Sequence, residues 1–163
     1  MRKIKRMLAE DLSSRVPTDF VSKRVSFKDV SGAIELFLNE NFTGGVLVES
    51  YVDSTQSGNI YPDGLAYLFR ELLRRVFTDS IIKVRLYMQN GELKIKVNWG
   101  DDVTLTSETV EHLTEIAERS GFYVSFGKNY AYVSIEEESS KALFVYATDF
   151  NTVVRSFVDI FFN

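Results

Sequence analysis

The stretch from Leu65 to Gly100 constrains the fold more than any other part of the chain. Its first part places apolar residues at the i, i+3, i+4, i+7 spacing of one helical face: Leu65, Leu68, Phe69, Leu72, Leu73 and Val76. Residues 82–88 and 93–98 then alternate between apolar and polar side chains, as half-buried strands do. Asn90-Gly91 between them suits a two-residue hairpin turn, because both residues tolerate positive φ. The stretch therefore predicts a helix followed by a β-hairpin.

The chain before this stretch indicates two helices, one strand and a long loop. Apolar spacing predicts an amphipathic helix over about residues 2–14 and a second helix that Asp29 caps. Residues 46–52 have the character of a strand. Residues 53–64 are rich in Asp, Ser, Asn and Gly, and predict a long loop that is either functional or a plain solvated connection. Asp63, near its end, is placed to cap the helix that follows.

The chain after this stretch continues the same alternation of helices and hairpins. A helix is predicted between a cap at Thr106 and a stop at Gly121, and residues 122–135 predict a second hairpin. Residues 143–147 indicate a short strand, and a closing helix has Phe157 at the centre of its apolar face. This order favours an α+β fold. We expect a two-layer sandwich in which helices cover one face of a single mixed, mostly antiparallel sheet.

Composition excludes several classes of function. At 163 residues, with 45% apolar and 26% charged residues, the chain is typical of one globular domain. A net charge of −4 gives no broad attraction for nucleic acid, and no run of about 20 apolar residues predicts a membrane span. The absence of cysteine fits a cytoplasmic protein, and no secretory signal is expected. The single histidine, His112, leaves no candidate zinc cluster or catalytic triad, and its helical position predicts an exposed side chain.

The central helix and hairpin also carry a resemblance to a known family. Residues 65–77 read Leu-Ala-Tyr-Leu-Phe-Arg-Glu-Leu-Leu-Arg-Arg-Val-Phe, and the hairpin that follows ends in Val-Asn-Trp-Gly. This order resembles the ATP-binding domain of sensor histidine kinases, a fold shared with gyrase, the heat-shock chaperone ATPase and mismatch-repair ATPases. The resemblance covers roughly residues 45–136 and implies the same α+β architecture.

The resemblance also implies a nucleotide groove. In the family, the helix carries a Glu and, four residues later, an Asn that holds magnesium; the second hairpin strand ends in Asp-x-Gly, whose Asp reads adenine. Glu71 and Gly100 match these positions, whereas Arg75 replaces the Asn and Asn98 replaces the Asp. The family's Gly-rich phosphate lid has no counterpart between Gly100 and Thr106. We therefore expect a vestigial groove at Glu71, Arg75, Asn98 and Gly100, with no metal site.

Each of these positions also has a plainer interpretation. Glu71 and Arg75, four residues apart on a helix, would form an exposed ion pair, and Asn98 would bond a nearby turn. Arg75 cannot bind a metal, because a guanidinium has only donors and stays charged. We expect it to turn onto Glu71, in a closed site with no nucleotide-sized cavity between Arg75 and Asn98.

These features lead to one main hypothesis and two alternatives. Residues 1–44 are predicted to be an N-terminal helical extension, and residues 45–163 a histidine-kinase ATPase-like domain with an added C-terminal strand and helix. The main hypothesis is a cytoplasmic pseudoenzyme of bacterial two-component signal transduction. It would have no assigned catalytic residue and no expected cofactor, and would bind a protein partner or a second copy. One alternative keeps ATP and magnesium, as a kinase or ATPase with an altered pocket. The other is an unrelated α+β interaction protein.

Overall fold

Two β-sheets and four helices make up the part of the chain that the structure, a computed structural model, describes, namely residues 23–138 and 146–163. The helix predicted over residues 2–14 lies outside these residues, as does most of the strand predicted at 143–147. The helices are α1 (Phe27–Asn41), α2 (Pro62–Val76), α3 (Ser107–Ser120) and α4 (Phe150–Phe162). The strands are β1 (Lys23–Ser26), β2 (Val46–Ser50), β3 (Ser57–Ile60), β4 (Ile82–Gln89), β5 (Glu92–Asn98), β6 (Tyr123–Phe126), β7 (Tyr130–Glu136) and β8 (Tyr146–Thr148).

The larger sheet contains both predicted hairpins. Its order is β2-β4-β5-β7-β6; β2 and β4 run parallel, and the other neighbours are antiparallel. The hairpin turn between β4 and β5 has Asn90 at φ 53° and Gly91 at φ 77°, so both residues take the positive φ that this turn type needs. The predicted α+β class and mostly antiparallel sheet are confirmed.

A second, smaller sheet was missed by the sequence analysis. It has the order β3-β1-β8, with β1 antiparallel to β3 and parallel to β8. The expectation of a single sheet is therefore wrong, and residues 53–64 are not one continuous loop. The strand β3 reads Ser-Gly-Asn-Ile, a sequence of low strand propensity. It becomes a strand because β1, more than 30 residues earlier in the chain, lies beside it.

Two predicted helix caps are also wrong. The side chain of Ser26, rather than Asp29, caps α1, since its Oγ accepts a hydrogen bond from the Asp29 main-chain N–H at 3.4 Å. The helix α2 begins at Pro62 with Tyr61 as its N-cap residue and no side-chain cap. Proline at the first helical position loses no helical hydrogen bond, because that N–H has no partner within the helix.

All the helices lie on one side of the larger sheet. In β4, β5 and β7 every second residue is buried under the helices: Ile82, Val84, Leu86, Leu93, Ile95, Val97, Ala131, Val133 and Ile135. The residues between them lie on the opposite face, which no helix of the described part covers. The prediction that α2 and α3 share one face is confirmed.

The helix α4 packs between α1 and α2 through aromatic rings. Phe157 has no exposed surface, as predicted, and its ring centroid lies 5.4 Å from that of Phe37 and 5.7 Å from that of Phe69. The division of the chain at residue 44 stays a prediction, because residues 1–22 lie outside the described part. The described part of that segment, β1 and α1, packs against elements that follow it. No helix in residues 23–138 and 146–163 is long and apolar enough to cross a membrane.

Candidate functional site

The carboxylate of Glu71 is enclosed on the helix-covered side of the sheet. Helix α2 contacts both α3 and α4, so its polar edge is covered as well as its apolar stripe. Glu71 consequently has no exposed surface. The interpretation of Glu71 and Arg75 as an exposed surface pair is wrong for this reason.

Three guanidinium groups from the same helix surround this carboxylate. Glu71 Oε2 lies 3.2 Å from Arg74 Nη1, 3.6 Å from Arg75 Nη1 and 4.0 Å from Arg70 Nε. Arg75 Nη1 also donates a hydrogen bond of 3.0 Å to the Glu71 main-chain oxygen. The predicted turn of Arg75 onto Glu71 is confirmed, but Arg74 makes the shorter contact. Its position three residues after Glu71 was a signal in the sequence that went unused.

His112 faces this carboxylate rather than solvent. Its Nε2 lies 4.0 Å from Glu71 Oε1, and only 24% of its side chain is exposed. The predicted exposure of His112 was wrong because the angle of His112 around the helix was taken relative to Val110. Val110 is only half-buried, so it does not mark the centre of the packed face. Ile116, which is fully buried, marks the centre of the packed face. His112 lies one turn before Ile116 and about 40° around the helix from it, so it belongs to the flank that meets α2.

Tyr67 completes the enclosed cluster. Its ring lies 6.4 Å from the His112 ring, and the Arg70 guanidinium carbon lies 4.8 Å from the Tyr67 ring centroid. Burial, and then the charge of Glu71, raise the pKa of Tyr67 to about 12. Four buried atoms of the cluster have no hydrogen-bond partner within the described residues: Tyr67 Oη, Arg70 Nε, Glu71 Oε1 and His112 Nε2.

The structure does not bring Asn98 to this cluster. Side chains alternate along β5, so Val97 is buried under the helices while Asn98 lies on the opposite face of the sheet. There it lines a shallow cavity of about 150 Å³ together with Lys83, Arg85 and Lys96. The Glu71–Arg75 pair and Asn98 therefore cannot line one groove.

Trp99 occupies the helix-covered side at this end of β5. It is 3% exposed, and its Nε1 donates a hydrogen bond of 3.0 Å to the main-chain oxygen of Val103. Asn129, not Asn98, bonds the nearby turn, since its Nδ2 donates to Trp99 O and to Asp101 Oδ1. Gly100 lies in this tight turn, where a Cβ atom would come within 2.6 Å of Asp102 Oδ1.

The connection between β5 and α3 is short. Residues 99–106 contain one glycine and lead directly to α3, whose N-cap Thr106 accepts a hydrogen bond from the Thr109 main-chain N–H as predicted. Helix α3 then packs against α2. The space beside Glu71 on α2 is thus filled by α3 itself, with His112 at the contact.

The open face of the larger sheet has a different chemistry. Across its strands, Lys83 pairs with Asn98 and Asn98 with Tyr130; in the next row, Arg85 pairs with Lys96 and Lys96 with Tyr132. The Lys96 ammonium lies 5.3 Å from both tyrosine ring centroids. Sequence analysis missed this face, although alternating cations in β4 and β5 were visible in the sequence.

Comparison with solved structures gives matches to histidine kinases. Histidine kinase AdeS of Acinetobacter baumannii matches at a TM-score of 0.50 and 11% identity, over 85% of this chain and 77% of that one. The cytoplasmic segment of histidine kinase QseC matches at a TM-score of 0.47 and 18% identity, over 84% and 92% of the two chains. The nucleotide-free catalytic domain of histidine kinase ThkA matches at 0.47 and 6%, over 71% and 96%. No protein-family model matches the chain, and no curated protein matches its sequence significantly.

The chain has a histidine-kinase-like ATPase fold. Within this fold, the Glu71 carboxylate, which the resemblance assigns to nucleotide chemistry, contacts guanidinium groups. Asn98 matches the family pattern only in its spacing to Gly100, because strand alternation turns its side chain away from the helices. Of the four positions proposed from the sequence, the structure brings together only Glu71 and Arg75.

Proposed function

We propose that this chain is a regulatory or protein-binding module of bacterial signal transduction that has the histidine-kinase-like fold but does not use ATP. The observation that carries the proposal is the enclosure of Glu71 by Arg70, Arg74 and Arg75, with His112 from α3 on its other side. The carboxylate that the resemblance assigns to nucleotide chemistry is already neutralised by the protein's own cations.

The charges beside Glu71 disfavour a metal–triphosphate complex. Magnesium in such complexes is held by carboxylate oxygens, phosphates and water. Arg75 has only donors and cannot replace a metal-binding amide oxygen. Its positive charge, added to that of Arg74, would also repel the ion.

The path of the chain after β5 also supports the proposal. Phosphates are commonly held by consecutive backbone N–H groups of a Gly-rich loop and by a helix N-terminus. Residues 99–106 are too short and too poor in glycine to supply such a loop, and α3 packs directly on α2.

A protein partner or a second copy is part of the proposal. The strand β2 forms one edge of the larger sheet, and Leu47 on it is 50% exposed. Ile81, just before β4, is 57% exposed. An edge strand with exposed apolar side chains is a surface onto which another chain can pair. We place this activity in the cytoplasm, which the absence of cysteine supports.

Nucleotide titration tests the proposal. We expect that ATP, ADP and magnesium at millimolar concentration give no saturable heat in calorimetry and no rise in melting temperature. A ligand present at 100 times its dissociation constant would stabilise the fold by about 2.7 kcal/mol, which a melting curve detects readily. Such a shift, dependent on magnesium, would restore the alternative of an ATP-using kinase or ATPase.

The variant Arg75→Asn tests whether the charge at residue 75 or the packing of α3 excludes the nucleotide. It restores the amide that the resemblance calls for, but Arg74 stays 3.2 Å from Glu71 and α3 still fills the space beside it. We expect no ATP binding by this variant. A gain of magnesium-dependent binding would show that the charge at residue 75, and not the packing of α3, excludes the nucleotide.

A further inference from the structure

The open face of the larger sheet carries cations and tyrosines in two neighbouring tracks. The basic track runs along β4 and β5: Lys83, Arg85, Lys94 and Lys96. The tyrosine track lies along β7 and its neighbour β6 and comprises Tyr130, Tyr132 and Tyr123. The register places Arg85 beside Lys96 and Lys96 beside Tyr132, so the two tracks meet in the row Arg85–Lys96–Tyr132. No helix of the described part covers either track.

The basic track is only partly neutralised. Glu49 Oε2 lies 3.6 Å from Arg85 Nη2, and the Glu49 and Arg85 side chains are 42% and 60% exposed. Glu92 Oε2 lies 2.7 Å from Lys94 Nζ. Lys83 and Lys96 have no carboxylate within ion-pair distance in the described residues. The net charge of −4 therefore averages over a molecule whose open face has unpaired positive charge.

The middle of the basic track forms a concave site. Lys83, Arg85, Lys96 and Asn98 line the cavity of about 150 Å³. A cavity of this size has room for one phosphate group. Two lysines, one guanidinium and one amide supply donors of the kind that bind phosphate oxygens.

The tyrosine track supplies aromatic surface beside that cavity. The rings of Tyr130 and Tyr132 have centroids 5.1 Å apart, and Tyr123 is 60% exposed. Flat rings on an uncovered sheet, next to a basic groove, are the features by which single strands of nucleic acid are held without sequence readout.

We propose that the open sheet face binds single-stranded nucleic acid, with phosphates on the Lys83–Arg85–Lys96 track and bases stacked on Tyr130 and Tyr132. Three of the four cations on the face are lysines. Lysine is depleted in protein–protein interfaces, whereas interfaces with nucleic acid are polar and positively charged. The chemistry of the face thus favours a nucleic-acid strand over an acidic protein segment. From the net charge we expected no broad attraction for nucleic acid. The proposal differs because net charge does not show how charge is distributed between the two faces of the sheet.

Fluorescence anisotropy with the full chain tests this proposal. The probes are fluorescein-labelled 12-nucleotide single strands of DNA and RNA, titrated at two salt concentrations. With three phosphate contacts and a slope of about −0.7 for each, binding should weaken roughly 20-fold between 50 and 200 mM salt. The variant Lys83→Ala/Lys96→Ala should bind at least about tenfold more weakly and show a shallower salt dependence.

A second pair of cations provides the matched control. Lys28 on α1 and Arg155 on α4 are exposed and lie away from the open face. The variant Lys28→Ala/Arg155→Ala removes the same charge and should bind as the unaltered chain does. Tyr132→Ala, which keeps every cation, should weaken binding roughly tenfold through lost stacking.

Three results would overturn the proposal. The first is the absence of saturable binding by either strand. The second is binding that Lys83→Ala/Lys96→Ala and the control variant weaken equally, which places the strand elsewhere. The third is binding of labelled poly-glutamate by the unaltered chain without binding of either strand, which assigns the face to an acidic protein segment.

The same variant separates this site from the space beside Glu71. Lys83→Ala/Lys96→Ala changes only the open face, so nucleotide held between α2 and α3 would bind this variant unchanged. The proposal of a nucleic-acid site and the proposal that the chain does not use ATP can therefore be tested independently.

Discussion

On the helix-covered face of the larger sheet, Glu71 is enclosed by three guanidinium groups, whereas on the open face Lys83 and Lys96 have no carboxylate partner among the described residues. Both sets of charges belong to one domain and are separated by one sheet. On the covered face the Glu71 carboxylate has no contact with water, so only other groups of the protein can stabilise its charge. On the open face solvent screens each cation, so the charges contribute little to folding and are free to meet a ligand.

The two faces differ in how their charged groups are paired. An ion removed from water costs several kcal/mol unless its partners are well placed, and the three arginines of α2 meet that need from one helix. The open-face cations have weaker support. Arg85 pairs with Glu49 at 3.6 Å between exposed side chains, Lys94 has a short pair of 2.7 Å with Glu92, and Lys83 and Lys96 have none among the described residues. Substitutions of charged residues on the covered face should therefore lower the free energy of unfolding. Substitutions on the open face should instead weaken ligand binding.

The largest effect is expected from the apolar core of the covered face. Phe157→Ala should lower the free energy of unfolding by about 3–5 kcal/mol, because it leaves a cavity among packed rings. Urea denaturation measures the loss. Phe162→Ala is the matched control, since Phe162 is on the same helix but 42% exposed. A loss below about 1 kcal/mol for Phe157→Ala would mean that α4 does not pack as described.

The next effect contrasts a buried carboxylate with an exposed one. Glu71→Gln should cost about 3 kcal/mol, the lower end for breaking a buried ion pair. The lower end applies because the Arg74 and Arg75 side chains are 19% and 31% exposed and can turn toward water. Glu49→Gln removes the partner of Arg85 on the open face and should cost less than about 1 kcal/mol. Equal losses in denaturant melts would erase the difference between the faces.

A smaller effect should appear at alkaline pH. The pKa of Tyr67 is raised to about 12 in the folded chain from 10.0. The folded state therefore favours the neutral phenol, and the resulting stability is present below pH 10. It should fall away as the pH rises toward 12, by an amount of order 2 kcal/mol.

The phenol itself can be removed to check this. Tyr67→Phe should flatten the fall in unfolding free energy between pH 10 and pH 12. Tyr123→Phe, which removes the same hydroxyl from a ring that is 60% exposed, is the matched control. Denaturant melts at several pH values give the slope. Identical slopes for the unaltered chain and Tyr67→Phe would place Tyr67 in contact with solvent.

The smallest effect is expected from the open face. Lys83→Ala/Lys96→Ala should change the free energy of unfolding by no more than about 0.5 kcal/mol, as is usual for exposed positions without buried partners. Urea melts measure this change. A destabilisation above about 2 kcal/mol would mean that these lysines hold the fold together.

Much of the architecture follows from local sequence signals. Periodicity identified α2, and alternation identified both hairpins of the larger sheet. The cap at Thr106 and the stop at Gly121, whose φ is 87°, were correct because each depends on chemistry within a few residues. Phe157 was recognised as buried since it stands at the centre of one apolar stripe.

The candidate site was less accessible to the same reasoning. The pairing of Arg75 with Glu71 depends on one helical turn and was predicted. The contact of His112 with Glu71 depends on how α3 rotates against α2, which periodicity gives only approximately. The placement of Asn98 failed because spacing to Gly100 was weighed above strand alternation, although alternation from Val97 already indicated the open face.

The sequence by itself determined the order of helices and hairpins, the alternation of polar and apolar residues along the hairpin strands, and the Glu71–Arg75 pair. These depend on repeat distances of 3.6 and 2 residues, which are fixed by backbone geometry. Only the tertiary structure decided that β3 becomes a strand beside β1, that α3 and α4 remove Glu71 from water, and that Lys96 of β5 meets Tyr130 and Tyr132 of β7. Each of these joins residues far apart in the chain, and burial and long-range pairing are properties of the packed molecule rather than of any single segment.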